Sequence, residues 1–304
     1  MNFNKLSKII KIAELHFVFG GFLYFSIGAL LAVLLNSEFI LSKFLFGYAI
    51  FFMAHLSMQF SNEYFDIDCD KHGSPTPFSG GSGVLVENPD LRKFAINFSV
   101  TLMIISIVMA IVFMVIYSYS LWFLIFVVFG NLLAWFYAAP PIKLSYRGLS
   151  EVATILTGII FPGMGYLTMT GTLDFPFFIF ALAIMFYQTL FISAVQIPDM
   201  EVDKMGGKNT IIVKKGRKFG FTLIGVSGLL ATIYFLLISQ TNLYPSINFQ
   251  IISIISLVPL IFAILAYYYR TEDKIAAMNL VNRVLSSLFA FGILVNLYFV
   301  YLLI

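Results

Sequence analysis

Nine apolar stretches, each long enough to cross a bilayer, take up most of this 304-residue chain. A helix needs about 20 predominantly apolar residues to span the hydrocarbon core of a membrane. Division of the chain at charged and turn-forming residues predicts membrane helices at residues 16–36, 43–62, 94–117, 119–138, 152–171, 176–197, 219–239, 249–269 and 284–303. The sequence therefore predicts an all-α, polytopic bundle of nine transmembrane helices that forms a single domain over residues 1–304.

The composition places the chain outside the soluble class. Hydrophobic residues make up 60% of it and charged residues 11%, whereas soluble domains carry about 25% charged residues. The single cysteine, Cys69, excludes an intramolecular disulfide and a multi-cysteine zinc site. We expect the lipid bilayer as partner and no nucleic acid, because the net charge of +3 follows the predicted topology.

The basic residues predict how the bundle is oriented. All of the 18 Lys and Arg residues except Lys43 fall on one side of the predicted membrane. Because short loops rich in Lys and Arg stay in the cytoplasm, we expect a cytoplasmic N-terminus and a C-terminus outside the cell. Only Glu38 and Asp174 among the acidic residues fall in the outer loops, which favours a polar site that faces the cytoplasm.

An acidic motif follows the second predicted span, in the sequence NEYFDIDCD (62–70). Asn62, Asp66 and Asp70 recur at i, i+4 and i+8, so they share one stripe if the helix continues past the membrane face. Asp68 would then point elsewhere, and Glu63 is interpreted as a bystander.

A second acidic motif follows the sixth span, in QIPDMEVDKMGGKNT (196–210). It places Asp199 and Asp203 at i and i+4, and we expect Pro198 to break the helix before them. Like charges at this spacing destabilise a helix unless a cation neutralises them. Ligands that are all oxygen favour Mg²⁺, which prefers a few carboxylates together with waters and substrate phosphates. The alternative, charged loop ends that only fix topology, explains two such motifs poorly, because Asp and Glu contribute little to topology.

Together with the connection YAAPPIKLSYRGLSE (137–151), these motifs resemble those of the UbiA superfamily of intramembrane prenyltransferases. The resemblance covers essentially the whole chain. It implies an enzyme that transfers an isoprenyl group from an isoprenyl diphosphate to an acceptor inside the membrane. It also implies roles for several residues: Asp66, Asp70, Asp199 and Asp203 as catalytic ligands of two Mg²⁺ ions, Lys143 as a further catalytic residue, and Asn62, Tyr137, Arg147 and Lys208 as diphosphate-binding residues. The other basic residues of 204–218, Arg217 included, are expected to set topology or to contact lipid headgroups.

Two features bear on the acceptor. His55 and Gln59 lie on nearly the same helical face as Asn62 and are candidate acceptor contacts, although polar groups satisfied within the bundle are the alternative. The stretch SPTPFSGGSGVL (74–85) is a glycine-rich loop and a candidate lid. Its PFSGGSG segment, like SYRGLSE, resembles the branch that acts on 1,4-dihydroxy-2-naphthoate or similar bicyclic acceptors in menaquinone biosynthesis.

Three other functions stay open at the level of sequence. Two are enzymes, a geranylgeranyl transferase of ether-lipid synthesis and a membrane terpene cyclase. The third is a cation-coupled transporter. Transporter ion sites usually lie near the bilayer midplane, whereas the acidic residues here cluster at the ends of spans, so the transporter is the least favoured.

Overall fold

The computed structural model describes residues 3–35, 37–76 and 78–304, and these residues contain helices and no strand. Nine of the helices are long and apolar enough to cross a membrane. They are α1 (Leu15–Leu34), α2 (Leu41–Phe65), α3 (Arg92–Ile116), α4 (Leu121–Ala138), α5 (Ser150–Thr170), α6 (Phe175–Met205), α7 (Arg217–Ile238), α8 (Phe249–Tyr268, interrupted at Ser256) and α9 (Lys274–Leu303). The predicted fold class is confirmed for this part of the chain.

The centre of the bundle is a close crossing of α1 and α5. A Cβ atom on Gly28 would lie 1.8 Å from the Pro162 carbonyl oxygen, and one on Gly165 would lie 1.9 Å from the Phe25 carbonyl oxygen. Only glycine lets the two backbones approach so closely, which is how small residues promote helix packing in membranes. Helices α1 and α5 therefore connect the first four helices, α1 to α4, with the last four, α6 to α9.

Helix α6 extends farther than the sequence predicts. It continues without a break through Pro198 to Met205, so the expected break at this proline is wrong. Arg217 explains how the helix is held: its Nε donates to the Ile197 carbonyl oxygen over 3.1 Å, and its guanidinium pairs with both carboxylate oxygens of Glu201. Because Arg217 is only 3% exposed, it does not contact lipid headgroups, and that part of the prediction is wrong.

The segments that carry the sequence motifs emerge at one end of the bundle, because successive membrane helices alternate in direction. The short helix Phe3–Ile12 precedes α1, and Ile67–Asp70 follows α2. The 3₁₀ turn Leu144–Arg147 lies between α4 and α5, and helix Ile211–Lys215 lies between α6 and α7. Of these connections, the one that follows α2 and the one between α4 and α5 contribute residues to the cavity described next, among them Asp70 and Ser145.

Candidate active site

A cavity of about 310 Å³ opens into the helix bundle at the end where the two acidic motifs lie. All of the predicted site residues line this cavity except Lys143 and Arg147; those that line it are His55, Gln59, Asn62, Asp66, Asp70, Tyr137, Asp199, Asp203 and Lys208. The rest of the wall is largely apolar, with Leu133, Ile160 and Phe161 among its residues. The cavity thus has a charged end and a hydrocarbon-like interior.

The first acidic motif is not a continuation of α2. The helix ends at Phe65, and Asp66 adopts φ −93° and ψ 2° before a single turn, Ile67–Asp70. The continuous helix on which the predicted stripe depends is therefore not present, yet Asp66 and Asp70 still face the same cavity. Asp68 points away as predicted: its side chain is 92% exposed and its carboxylate lies 2.6 Å from Lys71 Nζ.

Lys208 connects the two acidic motifs. Its Nζ lies 3.0 Å from Asp66 Oδ2 and 3.6 Å from Asp203 Oδ1. Burial disfavours the lysine charge, but the two carboxylates outweigh it and raise the pKa of Lys208 well above its usual range. In the protein without ligands, this ammonium group is the positive charge that holds the motifs together.

Among the described residues, Asp70 has no such ion-pair partner. Burial and the neighbouring Asp66 charge raise the pKa of Asp70 to about 8, against a smaller opposing effect of Lys208. A carboxyl group in this state gains most from a cation brought in with a ligand, because a nearby positive charge favours its ionised form.

The connection between α4 and α5 supplies a contact that the sequence analysis missed. The Tyr146 hydroxyl donates to Asp66 Oδ1 over 2.8 Å, while Lys208 holds the other oxygen. Lys143 does not line the cavity, and its Nζ lies 4.8 Å from the centre of the Tyr146 ring. Arg147 is exposed and donates to the Pro141 carbonyl oxygen over 2.9 Å. Tyr146 lies within the quoted SYRGLSE segment, which was the only signal for it.

The glycine-rich loop closes over both motifs. The Gly80 backbone N–H donates to Asp199 Oδ2 over 3.0 Å. Ser82 donates to Glu63 from its backbone N–H and, over 2.8 Å, from its hydroxyl. Gly81 has φ +62°, and a Cβ there would lie 2.9 Å from Asp70 Oδ2. A loop held by these carboxylates covers the charged end of the cavity, which is the place expected of a lid.

Two carboxyl groups of the cavity were not predicted. Glu63, interpreted from the sequence as a bystander, lines the cavity and holds the glycine-rich loop. Glu14 also lines it, from the junction between helix Phe3–Ile12 and α1. Helical spacing could have revealed Glu63, because it lies three residues before Asp66 and seven before Asp70, on the same face of a helix. Glu14 has no such relation to either motif.

The donor set fits a hard cation. It offers the carboxylates of both motifs, and the buried Asn62 Oδ1 has no hydrogen-bond partner among the described residues. In the same part of the chain, no three His, Cys, Asp or Glu side chains converge into a ready-made metal site. An incomplete oxygen shell of this kind suits Mg²⁺, which takes its remaining ligands from water and substrate phosphates.

The fold and this cavity define a class: polytopic, all-α membrane proteins with a carboxylate-lined site at one end of an apolar cavity. The UbiA prenyltransferase family model matches residues 22–291. The chain therefore belongs to the UbiA prenyltransferase family, a family of intramembrane prenyltransferase enzymes. No curated protein sequence matches it.

Solved structures share the fold at low sequence identity. A UbiA homolog from Archaeoglobus fulgidus bound to DMAPP and Mg²⁺ superposes with a TM-score of 0.62 and 13% identity, over 95% of this chain and 98% of that one. An apo UbiA homolog from Aeropyrum pernix K1 superposes with a TM-score of 0.63 and 15% identity, over 91% of this chain and 98% of that one. A digeranylgeranylglyceryl phosphate synthase structure superposes with a TM-score of 0.61 and 18% identity, over 98% of this chain and 99% of that one.

Proposed function

We propose that this protein uses Mg²⁺ to transfer an isoprenyl group from an isoprenyl diphosphate to an aromatic acceptor within the membrane, with release of diphosphate. The observation that carries the proposal is that two acidic motifs, far apart in the chain, meet around Lys208 at the mouth of an apolar cavity. The Archaeoglobus fulgidus structures with DMAPP or GPP and Mg²⁺ support the same ligands here.

In this proposal the carboxylates of both motifs hold two Mg²⁺ ions, and the amide oxygen of Asn62 assists. Bound Mg²⁺ would neutralise charge on the diphosphate as it leaves. Lys208 Nζ, held between Asp66 and Asp203, is placed to donate to a diphosphate oxygen and to stabilise the same charge. Tyr146 fixes the Asp66 carboxylate by its 2.8 Å hydrogen bond.

Three further residues are proposed to contact the diphosphate: Tyr137, Lys143 and Arg147. Tyr137 lines the cavity. Lys143 and Arg147 flank Tyr146 in the connection that touches Asp66, so a small movement of this connection would bring their charges to the diphosphate. Lys143 stays our proposal for a catalytic residue on this basis.

The apolar interior would hold the isoprenyl chain. Departure of diphosphate from an allylic carbon leaves a carbocation, which water would quench. A cavity lined by groups such as Leu133 and Ile160 excludes water from that carbon. The ring faces of Phe161 and Phe191, also in the lining, can stabilise a passing positive charge.

For the acceptor we propose a naphthoquinol-type aromatic compound, as in menaquinone biosynthesis, with His55 and Gln59 among its contacts. The PFSGGSG and SYRGLSE segments support this choice. The second candidate is a geranylgeranyl transferase of ether-lipid synthesis, which the structural likeness to a digeranylgeranylglyceryl phosphate synthase favours. We also propose that the site faces the cytoplasm, with the N-terminus inside and the C-terminus outside, on the distribution of basic residues.

Incubation of the purified protein with Mg²⁺, geranylgeranyl diphosphate and both kinds of acceptor tests the proposal. Mass spectrometry should show a prenylated naphthoquinol together with released diphosphate, and EDTA should abolish both. A prenylated glyceryl phosphate as the main product would favour the second candidate. Absence of transfer, combined with Mg²⁺-independent solute uptake in liposomes, would refute the proposed transfer reaction.

A further inference from the structure

The glycine-rich loop contacts three parts of the bundle through alternate residues. The ring of Phe78 packs between α1 and α9, with its centre 5.6 Å from that of the His16 ring and 6.2 Å from that of the Phe289 ring. Two residues later, the Gly80 backbone N–H donates to Asp199 Oδ2 of α6 over 3.0 Å. The third contact joins the loop to α2.

Glu63 of α2 makes this third contact with both of its carboxylate oxygens. Oε1 accepts a hydrogen bond from the Ser82 backbone N–H, and Oε2 accepts one from the Ser82 hydroxyl over 2.8 Å. Both residues are 4% exposed, so water competes little for these bonds. No Lys or Arg among the described residues forms an ion pair with Glu63. The loop is therefore the hydrogen-bonding partner of this carboxylate.

Between these contacts the loop backbone lies directly on the carboxylates of the first motif. A Cβ atom on Gly81 would lie 2.9 Å from Asp70 Oδ2 and 3.0 Å from Glu63 Oε1. The segment that Glu63 holds is thus the segment that covers Asp70, one of the proposed Mg²⁺ ligands.

The contact between Glu63 and Ser82 is compatible with bound Mg²⁺ and diphosphate. The proposed ligands are the four aspartates of the two motifs, whereas both Glu63 oxygens already accept bonds from Ser82. A carboxylate that binds a metal usually keeps an outer hydrogen bond, so the Gly80 N–H can stay on Asp199. Nearby Mg²⁺ also favours the ionised form of Glu63, which is the form that accepts from both donors of Ser82.

Closure of the charged end matters because water competes with the acceptor in the proposed reaction. After the bond between the allylic carbon and diphosphate breaks, the acceptor forms the new bond to that carbon and loses a proton. If water enters instead, its oxygen forms the bond, its proton passes to solvent, and an isoprenol is the product. Diphosphate leaves in both cases, so exclusion of water decides which product forms.

We propose that Glu63 is a positioning residue that holds the glycine-rich loop closed, and that this closure directs the isoprenyl group to the acceptor rather than to water. The inference rests on the proposed function. It gives a role to a buried cavity carboxylate that is not among the proposed metal ligands.

The first test measures closure without catalysis, as the rate at which chymotrypsin cleaves after Phe78 in EDTA, identified by fragment mass. Glu63→Ala removes both bonds and should raise this rate about tenfold or more, because cleavage follows the population of the open loop. Ser82→Ala keeps the backbone bond and should raise it less. The double variant should be cleaved no faster than Glu63→Ala. Glu87→Ala, exposed in the helix that follows the loop, is the matched control and should behave as wild type.

The second test supplies Mg²⁺, geranylgeranyl diphosphate and 1,4-dihydroxy-2-naphthoate and measures the ratio of geranylgeraniol to prenylated product. Glu63→Ala should raise this ratio about tenfold or more, in step with loop opening. Glu63→Gln, which keeps an acceptor oxygen for Ser82, should restore most of the wild-type ratio. Glu87→Ala should leave the ratio unchanged.

Either of two results overturns the inference: a cleavage rate after Phe78 that Glu63→Ala does not change, or faster cleavage with an unchanged product ratio. Release of no diphosphate by the wild-type protein contradicts the proposed function instead. In that case the cleavage rates still decide whether Glu63 holds the loop, so the two failures are distinguishable.

Discussion

Replacement of Lys208 by methionine should weaken the fold when no ligand is bound and should matter much less when one is. The lysine side chain is 14% exposed, and its partners Asp66 and Asp203 are 11% and 8% exposed. Removal of one member of a buried ion pair costs about 3–5 kcal/mol, since the other charge stays buried without a partner. Because the three groups keep some contact with water, we expect a loss of about 3 kcal/mol.

The measurement is the free energy of unfolding of Lys208→Met in bicelles, with EDTA and then with Mg²⁺ and geranyl diphosphate. The bound cation should replace the missing ammonium charge and recover most of the loss. Lys204→Met is the matched control, because Lys204 is exposed and lies just before the same connection. Equal stability of the two variants in EDTA would refute the role of Lys208, and so would a loss that Mg²⁺ and diphosphate do not reduce.

Three further predictions follow from the local geometry. Asp68→Asn should keep transfer activity within about twofold of wild type, because an exposed ion pair contributes little. Asp70→Asn should reduce transfer activity about a hundredfold. Equal effects of the two variants would contradict the assignment of Asp70, rather than Asp68, to the site. Gly81→Ala should impair transfer activity far more than Gly207→Ala. Both glycines have a positive φ, but only a Cβ on Gly81 would meet a motif carboxylate, that of Asp70, whereas nothing lies within 4 Å of a Cβ on Gly207. Burial raises the pKa of the Cys69 thiol to about 12, so the thiol stays protonated at pH 8. Maleimide should therefore label Cys69 only after the protein unfolds. Rapid labelling of the folded protein would show that the two motifs do not pack as described.

The membrane helices were predictable because hydropathy and length are local properties of the sequence. The errors fall where tertiary contacts decide the outcome. Pro198 removes one helical hydrogen bond, but Arg217, from the next membrane helix, holds both sides of it. Charged and turn-forming residues predict limits for α6 and α9 that both helices exceed. In α6 the charges have partners, Glu201 with Arg217 and Asp203 with Lys208, so they are compatible with a longer helix.

The site was predictable as far as its residues repeat along one helix. Asp66, Asp70, Asp199 and Asp203 were found by their spacing, and the structure brings them to one cavity. Glu14 was not found, because its direction depends on a left-handed turn that hydropathy does not encode. The role of Lys208 as the bridge between motifs likewise required knowledge of how α6 packs against the end of α2.

The central claim is that the two acidic motifs bind one Mg²⁺–diphosphate unit together. Calorimetric titration of geranyl diphosphate at fixed Mg²⁺ tests it in four proteins: wild type, Asp66→Asn, Asp199→Asn and the double variant. Loss of an outer partner of a metal ligand already weakens metal sites 10- to 100-fold, so each single variant should bind at least about a hundredfold more weakly. Because the motifs act as a unit, the double variant should lose little more than either single one. Near wild-type affinity in a single variant, or losses that simply add in the double variant, would contradict the claim.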